Sequence, residues 1–256
     1  MDLSRRVFLQ KLGLWSASFA VPTLSWAAQA VQSVSKSGAE AIRRATPVGA
    51  QGESGVRFVH HGPGLGRRIA VTFDDGPTPG VTEKVLAALR ERHLSATFFM
   101  IGQRVAAAPS LARRVREEGH EIGNHSYTHP QLGRLPVQQV LAQLQRTQAA
   151  IEQATGFRPC WMRPPYGSFH PAQAPIAAQE GLGVVLWSVD TRDWARPGTE
   201  RILGTVLTQS HPGSIVLMHD LHLQTAEVVD RVLDGLLERG FEFTTISGFL
   251  GCPRSA

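Results

Sequence analysis

The chain has 256 residues, of which 42% are hydrophobic and 18% are charged, so it can bury one substantial core. Its formal net charge is +5, but no dense cluster of Lys and Arg with interleaved aromatic residues occurs, so nucleic-acid binding is not supported. Long low-complexity tracts are also absent from the sequence, and we expect a single folded domain rather than a disordered chain.

The first 30 residues have the composition of an export signal. Arg5 and Arg6 lie in a stretch that resembles a twin-arginine signal, an apolar segment follows, and small residues offer cleavage after Ala27 or Ala30. The apolar segment is shorter than the ~20 residues that a good membrane span needs. We therefore predict a signal peptide over residues 1–30, passage through the twin-arginine export machinery, and no stable membrane span after signal removal. The protein would be bacterial and periplasmic or secreted; an uncleaved membrane anchor is the alternative.

Residues 31–66 are rich in Ser, Gly, Gln and Ala without clear periodicity, and we predict that they form a linker or tether. The folded domain is predicted over residues 67–251, where apolar β-favouring runs alternate with helical patterns. The predicted strands are Ile69–Phe73, Ala96–Ile101, Glu121–Gly123, Pro159–Met162, Gly183–Val189, Ser214–Met218 and Phe241–Ile246. The predicted helices are Val81–Arg92, Leu111–Glu118, Pro136–Ala154, Pro171–Gln179, Thr199–Thr208 and Thr225–Arg239. Such alternation implies an α/β fold with a mostly parallel sheet, either open and doubly wound or closed as a barrel.

Residues capable of chemistry follow the C-terminal ends of five of these strands. They are Asp74 and Asp75 after the first, His125 and His129 after the third, Arg163 at the fourth, Asp190 and Asp193 after the fifth, and His219 at the sixth. In a parallel α/β fold these strand ends share one face, where active sites form. The distribution favours a barrel-like cup with an active site at the C-terminal ends of the strands.

The spacing of two histidines points to a metal site. His125 and His129 are four residues apart and would face the same way on one helical turn. Two imidazoles and one carboxylate make a three-ligand site that suits zinc and leaves a position open for water. For the histidine pair alone, two unrelated surface residues are the alternative, but the carboxylates of Asp74 and Asp75 on the same predicted face favour a metal. Co²⁺ or Ni²⁺ would also fit such ligands.

Five motifs in this order resemble those of the polysaccharide deacetylases of carbohydrate esterase family 4, the NodB-homology domain. The motifs are Thr72-Phe73-Asp74-Asp75-Gly76-Pro77, His125-Ser126-Tyr127-Thr128-His129, Arg163-Pro164-Pro165-Tyr166-Gly167, Asp190-Thr191-Arg192-Asp193-Trp194 and Leu217-Met218-His219. The resemblance covers about residues 67–250, nearly the whole predicted domain. It implies a deformed (β/α) barrel with about seven parallel strands and a metal-dependent N-deacetylase.

The resemblance also implies a role for each motif residue. The metal ligands would be Asp75, His125 and His129, most simply for Zn²⁺. Asp74 would be the general base, held in place by Arg163, and His219 would be the general acid, oriented by Asp193. The backbone N–H of Tyr166 would bind the oxyanion, and Trp194 and Leu217 would form walls of the acetyl pocket.

The predicted function is removal of N-acetyl groups from GlcNAc-containing glycans such as peptidoglycan, chitin-type oligomers or an exopolysaccharide. An O-acetyl esterase acting on a polysaccharide such as acetyl-xylan would use the same residues. A metal-dependent phosphoesterase and a catalytically silent glycan-binding module are the more distant alternatives. Cys160 and Cys252 fit either a disulfide in an exported protein or two small buried apolar residues.

Overall fold

The protein is represented by a computed structural model, which describes residues 58–253. The predicted signal peptide and the part of the predicted tether up to residue 57 lie outside the described residues. Within residues 58–253, no helix combines the length and apolar character that a membrane span requires.

Nine short strands form one sheet around which the helices pack, and every pairing within the described residues is parallel. The strands are β1 (Phe58–Val59), β2 (Arg68–Asp74), β3 (Thr97–Met100), β4 (Glu121–Asn124), β5 (Trp161–Met162), β6 (Gly183–Val185), β7 (Val189–Asp190), β8 (Ile215–His219) and β9 (Glu242–Phe243). Their spatial order is β1-β6-β5-β4-β3-β2-β8-β7, and β9 pairs with the beginning of β2.

The helices supply the crossover connections that parallel strands need. They are α1 (Thr82–Glu91), α2 (Gly102–Ala107), α3 (Pro109–Glu117), α4 (Val137–Thr155), α5 (Ala174–Gln179), α6 (Thr199–Gln209), α7 (Leu223–Glu238) and α8 (Ile246–Leu250). Helix α2 lies where the sequence pattern predicts no element. The strand predicted over Phe241–Ile246 is shorter than expected, because the Thr245 side chain accepts a hydrogen bond from the Gly248 N–H and thereby caps α8.

The two faces of strand β2 have different roles: one packs under the helices and the other faces the interior of the sheet. Ile69, Val71 and Phe73 alternate along it and join the largest apolar cluster, under the helices. The intervening Thr72 is also fully buried, but its hydroxyl accepts a hydrogen bond from Arg163 in the interior of the sheet. This alternation places the last residue of the strand, Asp74, at the rim of the interior.

The deformed barrel predicted by the resemblance is confirmed, although its closure differs from the predicted strands. The single strand expected over Gly183–Val189 is two strands, β6 and β7, which lie at opposite sides of the sheet order. The connecting residues bridge both sides: the Leu186 N–H donates to the Val59 carbonyl at 2.7 Å, and the Ser188 N–H donates to the Ile215 carbonyl at 3.0 Å. Three connecting residues thus link the two sides of the sheet order.

Residues 58–66, which precede the predicted domain start at residue 67, contact the sheet. Strand β1 pairs with β6 through Phe58 and Val59, and the Gly62 N–H donates to the Gly213 carbonyl. Residues 58–66 therefore belong to the sheet and its immediate surroundings. At the other end of the domain, Cys160 and Cys252 form a disulfide, which attaches the C-terminal segment to the start of β5.

Candidate active site

A cavity of about 740 Å³ opens at the C-terminal ends of the strands. Of the predicted site residues, those that line it are Asp74, Asp75, His125, His129, Tyr166, Trp194, Leu217 and His219. The two remaining ones, Arg163 and Asp193, are fully buried behind this wall. The structure therefore brings all five motifs together at one place, as expected from the strand ends.

Three side chains from two loops form a compact group of donor atoms. Asp75 Oδ1 lies 3.1 Å from His129 Nε2 and 3.4 Å from His125 Nε2, and one ligand atom from each residue lies within 4.8 Å of the others. The histidines do not share a helical turn, which corrects that expectation. They lie in a loop after β4 in which Ser126 and His129 have left-handed backbone conformations, with φ of 62° and 61°. Asp75, with φ of 75°, also adopts the left-handed conformation.

The hydrogen bonds of His125 determine which of its ring nitrogens faces the group. His125 Nδ1 lies 2.7 Å from the Arg163 carbonyl, and because a carbonyl can only accept, Nδ1 carries the proton. In the neutral ring, Nε2 is then an unprotonated acceptor directed at another acceptor, Asp75 Oδ1. His129 is placed similarly, with Nδ1 3.2 Å from the Tyr166 hydroxyl. A second-sphere bond of this kind is usual for metal-ligating histidines.

The donor set fits a divalent metal ion. Asp75 Oδ1 is buried and makes no hydrogen bond, which is unfavourable unless a cation binds there. Burial by itself would raise the pKa of Asp75, but the two imidazoles hold it well below its usual range, so the carboxylate is charged. One carboxylate and two imidazoles, open to a cavity on one side, make Asp75, His125 and His129 a candidate three-ligand metal site.

Asp74 is held from behind by a fully buried arginine. Arg163 Nη1 lies 2.7 Å from Asp74 Oδ1 and 2.7 Å from the Thr72 hydroxyl, and Nη2 donates to the Leu186 carbonyl at 2.9 Å. The guanidinium also lies 4.3 Å from the centre of the Phe99 ring. Burial lowers the pKa of Arg163, and the charge of Asp74 opposes that effect. Since Oδ1 is engaged, Asp74 has only Oδ2 free to act, 3.8 Å from His125 Nε2.

The second charged pair of the site joins β8 to the loop after β7. Asp193 Oδ1 accepts a 2.6 Å hydrogen bond from His219 Nδ1, and Oδ2 accepts from the His219 main-chain N–H and the Thr225 hydroxyl at 2.8 and 2.6 Å. Burial would lower the pKa of His219, but the hydrogen bond and charge of Asp193 outweigh it and raise that pKa to about 9. His219 is therefore an imidazolium at neutral pH, with its other ring nitrogen available to donate a proton.

The remaining predicted residues form the cavity wall. Tyr166 lies in a short 3₁₀ turn, Pro165–Gly167, with φ of 59°, and the residue is 65% exposed. Trp194 is 51% exposed, whereas Leu217 is buried in β8. Leu217 thus gives the cavity an apolar lining on the side of Asp193 and His219, and the exposed Tyr166 and Trp194 form its rim.

Two threonines that bind Asp193 were missed by the reasoning from sequence. Thr225 on α7 donates to Asp193, and Thr191 bonds both to Asp193 Oδ1, at 3.0 Å, and to the Leu217 carbonyl, at 2.8 Å. Thr191 lies within a motif, so adjacency would have indicated it. Thr225 comes from a distant helix, and only the folded chain reveals its role.

Comparisons with known proteins agree with this geometry. Residues 61–185 match the family model described as polysaccharide deacetylase. The peptidoglycan-N-acetylglucosamine deacetylase PgdA of Listeria monocytogenes is 43% identical over 185 residues, which are 72% of this chain and 39% of that protein. The chitooligosaccharide deacetylase of Bradyrhizobium sp. is 41% identical over 191 residues, 69% of this chain and 87% of that protein. 

A solved structure shows the same fold. A CE4 family pseudoenzyme from Bacillus anthracis superposes with a TM-score of 0.72 and 33% identity, covering 75% of this chain and 68% of that chain. This chain spans only 39% of the length of the Listeria protein but 87% of the Bradyrhizobium one, so the likeness to the latter extends over most of a homologous protein. The chain therefore belongs to the polysaccharide deacetylase family.

Proposed function

We propose that the protein is a metal-dependent hydrolase that removes N-acetyl groups from GlcNAc-containing glycans. The observation that carries the proposal is the pairing of Asp74 with His219 as direct neighbours on β2 and β8, beside the Asp75–His125–His129 group. A candidate base, a candidate acid and a candidate metal site thus line one cavity. The relatives named as peptidoglycan and chitooligosaccharide deacetylases support the choice of substrate class.

Hydrolysis of the amide requires that water lose a proton, that the carbonyl oxygen be stabilised as negative charge develops, and that the leaving nitrogen gain a proton. A divalent ion held by Asp75, His125 and His129 would polarise the carbonyl and lower the pKa of a water ligand towards ~7. Zn²⁺ is the ion that we propose, since an Asp and two His ligands suit it, and Co²⁺ or Ni²⁺ would also bind.

The protein's own residues then divide the proton transfers between them. Asp74 takes the proton of the attacking water at Oδ2, because Arg163 already binds Oδ1. The backbone N–H of Tyr166 donates to the developing oxyanion, a contribution typically worth ~3 kcal/mol. As the carbon–nitrogen bond breaks, His219 donates its proton to the nitrogen, which leaves as a free amine on the sugar together with acetate. Trp194 and Leu217 enclose the acetyl methyl group.

Acetyl release from defined glycans tests the proposal. The protein is incubated with GlcNAc oligomers, with peptidoglycan fragments and with acetyl-xylan, and mass spectrometry scores the loss of acetyl groups. We expect losses from the N-acetylated glycans that disappear in the Asp74→Asn variant, which controls for contaminating enzymes. Loss from acetyl-xylan alone would identify an O-acetyl esterase instead. Binding of the oligomers without any loss would identify a silent glycan-binding module, an outcome that the pseudoenzyme relative makes worth measuring.

We also propose that the protein is exported through the twin-arginine route, with cleavage after Ala27 or Ala30. The Arg5 and Arg6 pair and the apolar segment that follows it support this route. Replacing both arginines with Lys should leave the protein in the cytoplasm with residues 1–30 attached, as measured by fractionation and mass of the product. Normal delivery of the doubly substituted protein would indicate another route.

A further inference from the structure

Asp220 is a buried carboxyl group that the mechanism above does not use. It follows His219 directly, at the end of β8, and none of its surface is exposed. Its Oδ1 makes no hydrogen bond. Burial raises the pKa of Asp220 to about 7. A buried carboxyl group with an unsatisfied oxygen destabilises a core, so the presence of Asp220 beside His219 requires another explanation.

One oxygen of Asp220 is connected to the loop that follows Asp75. The Thr82 hydroxyl donates to Asp220 Oδ2 at 2.5 Å, and the same hydroxyl oxygen accepts from the Thr78 N–H at 2.7 Å. Thr82 is fully buried at the start of α1. A continuous chain of hydrogen bonds therefore runs from the carboxyl group of Asp220 to the backbone two residues after Gly76.

The same carboxyl group lies directly against Gly76. A Cβ atom at Gly76 would lie 2.1 Å from Asp220 Oδ2 and 2.4 Å from Oδ1, closer than any side chain permits. The Asp220 main-chain N–H, in addition, donates to the Asp74 carbonyl at 3.2 Å. Asp220 thus contacts the segment 74–78 at its beginning, its middle and, through Thr82, its end.

This segment needs such support because it carries Asp75 in an unfavourable conformation. The φ of 75° at Asp75 lies in the left-handed region, which non-glycine residues enter only when the surrounding structure holds them there. That conformation directs Asp75 Oδ1 towards His129 Nε2, 3.1 Å away, while the preceding Asp74 stays paired with Arg163. Without a fixed turn after it, Asp75 would gain by relaxing, and the three donor atoms would separate.

We propose that Asp220 is a positioning residue: with Thr82 it fixes the turn over residues 75–78 and so holds the Asp75 carboxylate in the orientation that binds the metal. The inference rests on the proposed function, because it assumes that Asp75, His125 and His129 hold a metal ion. Residues that orient metal ligands from behind typically contribute about 10- to 100-fold to metal affinity.

Titration of Zn²⁺ alone into the metal-free, folded protein measures this role without any glycan. Thr82→Val removes the hydroxyl while keeping the shape of the side chain, and Asp220→Ala removes the carboxyl group. We expect each variant to bind Zn²⁺ about 10- to 100-fold more weakly than the wild type. Thr82→Ser retains the hydroxyl and should restore an affinity close to that of the wild type.

Glu121→Ala is a matched control, since Glu121 is also a buried carboxylate that accepts hydrogen bonds. Its Oε2 accepts from the Thr97 hydroxyl at 2.9 Å and from the Ser247 N–H at 3.0 Å. Glu121 lies at the N-terminal end of β4, whereas the site lies at the C-terminal ends of the parallel strands. Its removal should lower the melting temperature and leave Zn²⁺ affinity unchanged. If all destabilised variants lost affinity alike, the effect would be general loosening and the positioning role would be wrong.

The outcomes separate this inference from the proposed function. A wild type that binds Zn²⁺ while Thr82→Val and Asp220→Ala bind it equally well would overturn the role of Asp220 and leave the proposed metal site standing. A wild-type protein that binds no divalent metal would overturn both. If Asp220→Ala does not fold, the Thr82→Val variant alone decides the question, because it interrupts the same chain of hydrogen bonds.

Discussion

The two charged halves of the cavity are built in opposite ways. On the acid side, Asp193 is fully buried and accepts hydrogen bonds from the ring Nδ1 and the main-chain N–H of His219, from Thr225 and from Thr191. On the other side, Asp75 Oδ1 is buried with no hydrogen bond at all. The Asp193–His219 side, the acid half, has its hydrogen bonds satisfied by the folded chain itself. The Asp75 side becomes favourable only when a cation binds.

Backbone conformation differs between the halves in the same sense. His219 lies in the regular strand β8, so the sheet itself positions it. Asp75, Ser126 and His129 all have positive φ, and each lies in a loop. Strained loop residues are retained where surrounding contacts or a ligand hold them. The difference predicts that removing the metal, or its ligands, disturbs one half while the other keeps its structure.

Removal of the metal should produce the largest effect. Chelation is expected to abolish acetate release, because Lewis-acid polarisation is lost while Asp74 and His219 remain in place. Zn²⁺ or Co²⁺ added back should restore turnover. Circular dichroism of the chelated protein should still report the folded state, since the acid half and the core need no ion. Full activity in a preparation shown to be metal-free would contradict the proposed mechanism.

Substitution of the two adjacent aspartates separates binding of the metal from catalysis. Asp75→Asn should lose metal, since a neutral amide is a much poorer ligand than a carboxylate. Asp74→Asn should retain metal but lack the base, so that kcat falls by on the order of 10²–10⁴ while KM changes little. Metal content and turnover are measured together for both variants.

The outcome of that pair also decides between the assigned roles. If Asp74→Asn lost the metal and Asp75→Asn kept it, the roles would be reversed. If both variants kept metal and activity, neither carboxylate would belong to the site. The matched control is Asp230→Asn. The wild-type Asp230 carboxylate lies at the surface beside Arg92, so its loss should change neither metal content nor turnover.

The strand ends were predictable because period and polarity are local properties of the sequence. The apolar run before Asp74 and the alternation of elements indicate a parallel α/β fold, and the five motifs indicate the family. Two features were not predictable for a physical reason. The strand of Phe58–Val59 is too short to show a period, and the division of Gly183–Val189 into two strands depends on partners that lie far away in the sequence.

The site shows the same division between local and distant information. Sequence spacing placed His125 and His129 near each other but suggested a helical turn, whereas the structure uses a loop with left-handed residues. Thr225 and Asp193 are 32 positions apart in the sequence, and Thr82 and Asp220 are 138 positions apart. No spacing rule identifies such pairs. Ligand types are therefore readable from the chain, while the residues that orient them require the fold.

The smallest expected effect concerns the acid half and is a shift in pH dependence. Because Asp193 raises the pKa of His219 to about 9, activity should fall as pH rises through that value and His219 loses its proton. Asp193→Asn removes the anionic partner, so the pKa of His219 falls and the alkaline limb moves to lower pH, by about 1–3 units. Thr225→Val removes one hydrogen bond from Asp193 but leaves the anionic partner of His219 in place, so the limb should move much less than in Asp193→Asn. Both profiles are recorded as kcat/KM against pH with the metal site saturated, so that a change in metal affinity does not enter. An alkaline limb that stays in place in Asp193→Asn would remove Asp193 from this role and assign that limb to another group.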